Sequence, residues 1–143
     1  MTRAEMIETI RRYRVAVVST VAADGAPQSA VVGFAVSDDL EIVFDTLAST
    51  RKFQNIRRDP RVSLVIGWDA ELTLQIEGAA DVPVGDDLQR MQACYFTIYP
   101  DGRDRLKWPG ITHVRVRPRW IRLSDFNEDP PRIVEAMFPS GWS

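Results

Sequence analysis

The feature that most constrains this chain is a succession of short segments rich in β-branched residues and separated by turns. The first two segments flank an Asp-Gly pair at residues 24–25, a strong hairpin signal. The last segment alternates Val114 and Val116 with Arg115 and Arg117, the period of a half-buried strand. This pattern predicts six strands, over residues 14–21, 28–36, 40–46, 61–68, 71–84 and 111–126.

Tight turns between successive strands indicate a mostly antiparallel sheet. A long antiparallel meander removes its exposed edges by closing into a barrel. The predicted fold is therefore mostly β, a small β-barrel with flanking helices. A chain of 143 residues is expected to form one such domain, spanning residues 1–143.

Four helices are predicted from their start signals and apolar faces. Thr2 and Glu5 have the spacing of a capping box, and Thr50 can cap a short helix. Asp86 suits the first turn of a third helix, and the Pro-Pro pair at 130–131 suggests the start of a terminal one. The predicted helices cover residues 2–13, 50–58, 85–99 and 130–138.

Composition narrows the function classes. The net charge of −2 makes a nucleic-acid partner unexpected. A single cysteine, Cys94, excludes an internal disulfide and a cysteine-rich metal site, and a single histidine, His113, excludes a His-x-x-x-His metal motif. The single cysteine leads us to expect a reducing, cytoplasmic setting. The longest apolar run, residues 30–36, is too short to span a membrane.

Two cations lie at the start of a predicted helix, where the helix dipole disfavours positive charge. Arg51 and Lys52 follow the capping Thr50, at the positive end of the helix dipole, which costs a few tenths of a kcal/mol or more. A phosphate bound by Arg51, Lys52, the Ser49 and Thr50 hydroxyls and the first-turn N–H groups would offset that cost. A solvated cationic turn, paired with Asp45 or Asp59, explains the same residues, and the physical argument leaves both interpretations open.

Groups for acid–base or nucleophilic catalysis are scarce. His113 lies in a predicted strand with no carboxylate beside it in sequence, and Cys94 lies in a predicted helix among apolar residues. No Gly-x-Ser-x-Gly, Gly-x-Gly-x-x-Gly or P-loop motif is present. The protein is therefore either not an enzyme or one in which a bound cofactor carries the reaction.

Residues 44–68, FDTLASTRKFQNIRRDPRVSLVIGW, resemble the FMN-binding split-barrel family, also called pyridoxamine 5′-phosphate oxidase-like proteins. The resemblance lies in the strand-end pair, the Ser/Thr-Arg-Lys triplet, the short helix and the following Asp-Pro-Arg-Val. The order of elements is similar from about residue 3 to residue 125. The resemblance implies a six-stranded antiparallel split β-barrel, and a homodimer with flavin at the subunit interface.

The resemblance also implies a set of cofactor contacts. Arg51 and Lys52 would hold the flavin phosphate, and Thr73 falls where the oxidases carry a flavin-contacting Gln. Trp108 would contact the flavin ring from the partner subunit, or else serve as a packing or interface aromatic. No catalytic residue and no metal ligand is assigned. The complete set of candidate cofactor-binding residues is Ser29, Ala30, Val31, Val32, Asp45, Thr46, Ser49, Thr50, Arg51, Lys52, Thr73, Gln75 and Trp108.

The sequence departs from that of the oxidases at two places that bear on its activity. The strand at residues 28–35 lacks the Arg and Lys that the oxidases carry there, and residues 120–126 lack their Arg-Leu-His-x-Arg motif. A vitamin B6 oxidase is therefore not expected. The leading hypothesis is an FMN-dependent oxidoreductase acting on an unidentified small molecule. The alternatives are a deazaflavin-dependent reductase on the same fold, a non-catalytic flavin- or cofactor-binding stress protein, and a structural barrel without a phosphate ligand.

Overall fold

An antiparallel sheet of eight strands runs through residues 1–138, the part of the chain that the computed structural model describes. Along the sheet the strands follow the order β2-β1-β5-β6-β7-β4-β3, and β8 pairs with β7. The elements are α1 (Arg3–Ile10), β1 (Val15–Val21), β2 (Pro27–Gly33), β3 (Ala35–Val36), β4 (Ile42–Leu47), α2 (Arg51–Arg58), β5 (Arg61–Ile66), β6 (Leu72–Asp81), α3 (Gly85–Ile98), α4 (Gly102–Arg105), β7 (Ile111–Asp125) and β8 (Arg132–Met137).

The sheet curls until its two ends meet. β2 and β3 lie at opposite ends of the strand order, yet only Phe34 separates them in the chain. The predicted strand 28–36 is therefore split at Phe34, whose N–H donates to the Arg14 carbonyl instead of joining a ladder. The predicted mostly-β antiparallel barrel with flanking helices is confirmed.

The predicted terminal helix is wrong. Residues Arg132–Met137 form β8, antiparallel to β7, with an ion pair between Arg122 and Glu135 at 3.0 Å. β4 pairs only with the first part of β7, so the second part, from Trp120 to Asp125, presents unpaired backbone groups on the same edge. β8 satisfies those groups, and this outweighs the helix-start signal of the two prolines. With β8 and the two-residue β3, the described residues contain eight strands instead of six.

Three predicted helices are confirmed. α1 begins at Thr2 with both bonds of the capping box to Glu5, α2 begins after Thr50, and α3 covers Gly85–Ile98. The segment between α3 and β7, for which no helix was predicted, contains the short helix α4. No helix among residues 1–138 is both long and apolar enough to span a membrane.

β4 is buried on both faces, because its side chains alternate between two hydrophobic clusters. Ile42 and Phe44 belong to the main core inside the curled sheet, together with Ile10, Leu64 and others. Val43 points the opposite way, into a smaller cluster under α3 formed by Ala35, Val43, Met91, Tyr95 and Phe96. The C-terminal end of β4, from which the loop to α2 departs, is thereby held from both sides.

The outer face of β2, β1, β5 and β6 carries side chains that nothing covers. Val31 is 65% exposed and Val65 is 40% exposed. Register places Val31 opposite Val17, Val17 opposite Val65, and Val65 opposite Gln75. We call this surface the outer sheet face. In the row beside these residues, Ser19 and Ser29 share a hydrogen bond of 2.7 Å.

Candidate functional site

The loop between β4 and α2 is organised by three hydroxyl and carbonyl contacts. Thr50 Oγ1 accepts a hydrogen bond from the Phe53 N–H at 3.4 Å and donates to the Leu47 carbonyl at 2.9 Å. Thr46 Oγ1 lies 3.0 Å from Thr50 Oγ1. The predicted cap is therefore confirmed, and the first turn of α2, with its unsatisfied N–H groups, is held in a defined direction.

Arg51 is fixed by a side chain from β2. Its Nε donates to Gln28 Oε1 at 3.1 Å, which leaves the two Nη groups of the guanidinium available. Gln28 Oε1 also accepts from Asn55 Nδ2 at 2.8 Å, and Asn55 Nδ2 lies 3.0 Å from Thr20 Oγ1. The sequence analysis missed Thr20, Gln28 and Asn55. For two of them the sequence carried a local signal. Asn55 lies one helical turn from Arg51, and Gln28 shares the inward face of β2 with Ala30.

Lys52 has no counter-ion in contact. Among residues 1–138 its ammonium makes no hydrogen bond and no ion pair, although the side chain is partly buried. Burial lowers the pKa of Lys52, and the more distant Asp45 carboxylate opposes that shift only in part. An anion beside Lys52 would compensate the cost of desolvating the ammonium.

These side chains converge on one cleft of about 260 Å³ at the N-terminus of α2, which we call the α2 cleft. Five of the predicted residues line it, together with two that were missed. The cleft is thus bounded by a helix N-terminus, two cations and several hydroxyl or amide groups, which is the donor set of a phosphate site. The lining residues are Thr20, Gln28, Ser29, Ala30, Thr50, Arg51 and Lys52.

Asp45 and Thr46 do not act as a pair, because adjacent strand residues point to opposite faces. Thr46 faces Thr50 and supports the loop. Asp45 faces α3 and α4, where the Tyr95 hydroxyl of α3 donates to it at 3.1 Å and Arg105 Nε of α4 donates at 2.8 Å. The Asp45 side chain is therefore engaged away from the α2 cleft, and Arg105 is a residue that the sequence analysis missed.

His113 lies beside this ion pair and is 3% exposed. Its ring packs edge-on against the rings of Tyr95 and Phe96, and Nε2 has no hydrogen-bond partner among the described residues. Burial lowers the pKa of His113, while Asp45 opposes that shift. Burial also raises the pKa of Tyr95, and Asp45 adds to that effect. Neither side chain faces the α2 cleft.

The remaining candidates lie outside the α2 cleft. Val32 is buried in the core, so only its backbone can reach a ligand, whereas Val31 lies on the outer sheet face. Thr73 and Gln75 lie on β6, three strands away from β2, a separation of about 14 Å at the usual strand spacing. Their side chains point outward, opposite in direction to the buried Leu74 between them.

Two loop candidates lie near the helix start. Ser49 is exposed in the loop before α2. Trp108 is 52% exposed, and its loop is joined to the β4–α2 loop by a hydrogen bond of 2.8 Å from the Ala48 N–H to the Gly110 carbonyl. Both positions are compatible with a ligand that extends beyond the α2 cleft.

The sequence matches the pyridoxamine 5′-phosphate oxidase family over residues 2–124, nearly the whole chain. The chain belongs to this family. Pyridoxine/pyridoxamine 5′-phosphate oxidase of Cupriavidus taiwanensis is 31% identical over 123 residues, which are 80% of this chain and 56% of that protein. The chain thus spans little more than half the length of that relative. General stress protein 26 of Bacillus subtilis is 24% identical over 93% of this chain and 95% of its own length.

Solved structures of the family share the fold. A haem-binding protein from Mycobacterium smegmatis superposes with a TM-score of 0.81 at 19% identity, over 96% of this chain and 58% of that one. An FMN-binding protein of the family from Nostoc punctiforme has a TM-score of 0.67 at 12% identity, over 95% and 92% of the two chains. These neighbours establish the split-barrel fold predicted from the resemblance. Because one is named for haem and the other for FMN, the ligand of this family member has to be inferred from its own residues.

Proposed function

We propose that this protein binds FMN, with the phosphate in the α2 cleft, and acts as a flavin-dependent oxidoreductase. The observation that carries the proposal is Lys52, a partly buried ammonium with no counter-ion among residues 1–138. A phosphate there would receive charge-assisted bonds from Lys52 and from the available Nη groups of Arg51. The N–H groups of the first turn of α2 would add further donors.

The residues of the cleft fit a phosphate monoester. Gln28 orients the guanidinium of Arg51, and Thr50 caps the start of α2. The hydrogen-bond donors of the cleft are therefore positioned before a phosphate binds. Nothing acidic lines the cleft, since Asp45 is engaged by Arg105 and Tyr95 on the other side of β4. The site is therefore selective for an anion.

Bound FMN would supply the two-electron chemistry, and the chain would bind, orient and shield it. The cleft-lining residues include no carboxylate, histidine or tyrosine that could exchange a proton at neutral pH. His113 lies under α3 and packs against Tyr95 of that helix. A reaction that requires no protein acid or base in contact with the substrate is therefore the type that this site favours.

We further propose a homodimer with flavin at the interface. In one protomer the side chains of Thr73 and Gln75 are about 14 Å from β2, too far to touch a ring lying along it. A second copy docked on the outer sheet face would bring its own Thr73, Gln75 or Trp108 within reach. The exposed Val31 and Val65 supply the apolar centre that such an interface needs.

A small molecule is the expected substrate, and a vitamin B6 phosphate is not, because the motif that binds that phosphate in the oxidases is missing. The rival proposals are a deazaflavin-dependent reductase and a non-catalytic cofactor binder. The relatives named as a stress protein and as a haem-binding protein motivate the second rival. Haem ligation by His113 is disfavoured here, since α3 covers that side chain.

The test is to purify the protein without added cofactor, record its absorbance and identify the bound molecule by mass spectrometry. Stoichiometric FMN, and its loss in Lys52→Gln, would support the proposal. Arg57→Gln is the matched control, because Arg57 lies on the same helix, over the Phe53 ring, and outside the cleft. A protein that is purified without flavin and also fails to bind added FMN would overturn the proposal. A bound deazaflavin would support the deazaflavin-dependent reductase instead, and a bound tetrapyrrole would support the non-catalytic cofactor binder. Turnover with pyridoxine phosphate would contradict the substrate assignment.

A further inference from the structure

A second and larger cavity opens on the other side of the barrel. Its volume is about 540 Å³, within the range typical of small-molecule sites. It lies between the end of α1, the junction of β2 and β3, the turn before β4 and the last turns of α3. None of its lining residues also lines the α2 cleft. We call it the α3 cavity.

The floor of the α3 cavity is apolar. Phe34, Ala35 and Val36 form one side and are at most 3% exposed. Ala35 belongs to the hydrophobic cluster under α3, whereas the Phe34 and Val36 side chains belong to the main core. Cys94 and Ile98 of α3 form the other side and are half-buried. Tyr13 adds an aromatic residue to the lining. An apolar lining that includes an aromatic residue favours a flat, mostly apolar ligand.

Most of the charged groups around the α3 cavity already have partners. Arg11 donates to the Val36 carbonyl and to Asp38, both at 2.9 Å. Arg90 donates to Glu41, with its second contact at 3.0 Å, and to Asp87 at 3.1 Å. These cations are neutralised and structural, and they fix the walls of the cavity.

Arg14 is different. Among residues 1–138 its guanidinium makes no hydrogen bond and no ion pair. Its backbone is nevertheless held, because the Arg14 carbonyl accepts from the Phe34 N–H at 3.1 Å and from the Tyr99 hydroxyl. Glycine at position 33 leaves room for this contact, since a Cβ there would lie 2.9 Å from the Tyr99 hydroxyl oxygen. The lining of the cavity thus includes one arginine whose side chain has no partner among residues 1–138.

We propose that the α3 cavity is a second ligand site, which takes a flat apolar molecule bearing a single carboxylate. The apolar body would lie against Ala35, Cys94 and Ile98, and the carboxylate would pair with Arg14 in the two-pronged manner that a guanidinium favours. The proposal does not rest on the flavin, because the two cavities share no residue.

Cys94 provides a direct test, since it is the single cysteine of the chain and lines the α3 cavity. A ligand in the cavity would cover the thiol and slow its alkylation, which the mass of the intact protein reports. We would measure the alkylation rate with iodoacetamide at constant alkaline pH, with increasing 2-naphthoate as the probe. The neutral 2-naphthalenemethanol is the matched ligand, and Arg12→Gln, which removes an exposed charge outside the cavity, is the matched variant.

We expect 2-naphthoate to slow alkylation at least fivefold at saturation, in the presence and absence of FMN. Arg14→Gln should weaken the apparent affinity at least tenfold, whereas Arg12→Gln should leave it unchanged. Calorimetric titration of the same proteins gives an independent affinity, and thermal melting confirms that each variant is folded. Absence of protection in the wild-type protein would overturn the proposal. Equal protection by the alcohol, or an unchanged affinity in Arg14→Gln, would overturn the assignment of a carboxylate.

Discussion

Arg105 donates a hydrogen bond of 2.8 Å to Asp45 across 60 residues of sequence, and both side chains are largely buried, at 19% and 14% exposed. Asp45 stands at the strand end from which the loop to α2 departs. The ion pair therefore anchors α4 and the β4–α2 loop to each other, on the side of β4 opposite the α2 cleft.

Replacing Arg105 with Gln should destabilise the fold, because it leaves Asp45 partly buried without its charge partner. A charge-assisted hydrogen bond of this kind contributes roughly 1.5–3 kcal/mol. Urea denaturation should show a loss of that size. Arg103→Gln is the matched control, since Arg103 lies over the Phe96 ring and makes no ion pair within residues 1–138. Equal stability of the two variants would show that the Asp45–Arg105 pair is not structural.

Replacing Arg51 and Lys52 together with Ala should reduce FMN affinity at least about a hundredfold, because at least two charge-assisted bonds of roughly 1.5–3 kcal/mol each are lost. Riboflavin has no phosphate and should bind the wild-type and variant proteins nearly equally. Fluorescence quenching measures both affinities. The fold should persist, because neither side chain belongs to the core. An FMN affinity that survives the double replacement would eliminate the phosphate clamp.

His113 should make stability depend on pH. Burial lowers its pKa in the folded protein, with Asp45 opposing the shift and Arg105 adding to it. The unfolded chain therefore takes up a proton near the ordinary histidine pKa of about 6.5, where the folded chain does not. This contribution to the free energy of unfolding is complete above about pH 6.5, and it is lost progressively as the pH falls from there to the lower pKa of His113 in the folded protein.

Urea denaturation at pH 7.5 and at pH 5.5 measures the effect. We expect His113→Phe to lose less stability between these two pH values than the wild-type protein, because phenylalanine has no proton to bind. Phenylalanine also suits the contacts with Tyr95 and Phe96. Identical pH dependence in the two proteins would show that another group is responsible.

The proposed dimer should depend on the outer sheet face. Light scattering of the wild-type protein should give about twice the chain mass of 16.2 kDa. Val31→Lys combined with Val65→Lys should give a monomer, because it places two charges at the apolar centre of the interface. Val84→Lys is the control, since Val84 is 77% exposed but lies before α3, outside this face. A wild-type monomer, or a dimer that tolerates the double change, would contradict the proposed interface.

Local patterns predicted the local structure well. The caps at Thr2 and Thr50 depend on neighbours within four residues, so the sequence reveals them directly. The strand alternation that separates Asp45 from Thr46 is equally local, but it was not used when the two residues were assigned together to the flavin site. The β8 strand was missed because its reason to form is the unpaired edge of β7, which only the folded sheet creates. The two prolines before it resembled a helix start, and tertiary pairing overrode that signal.

The same distinction applies to the α2 cleft. Arg51 and Lys52 were found because the cost of cations at a helix start is visible in the sequence. The supporting contacts of Gln28 with Arg51 and of Arg105 with Asp45 join residues 23 and 60 positions apart. Local spacing could nominate Gln28 as a candidate, but only the assembled fold brings Gln28 to Arg51 and Arg105 to Asp45.

The burial of β4 on both faces also affects how the protein opens. The backbone of Val43 and Phe44 is paired on the β7 side, and their side chains belong to different hydrophobic clusters. Releasing β4 would therefore require both clusters to separate at once, so its amides should exchange with solvent only through global unfolding. The β4–α2 loop therefore departs from a strand that opens only with the whole fold, and it would keep its shape through the smaller openings that expose the barrel edges.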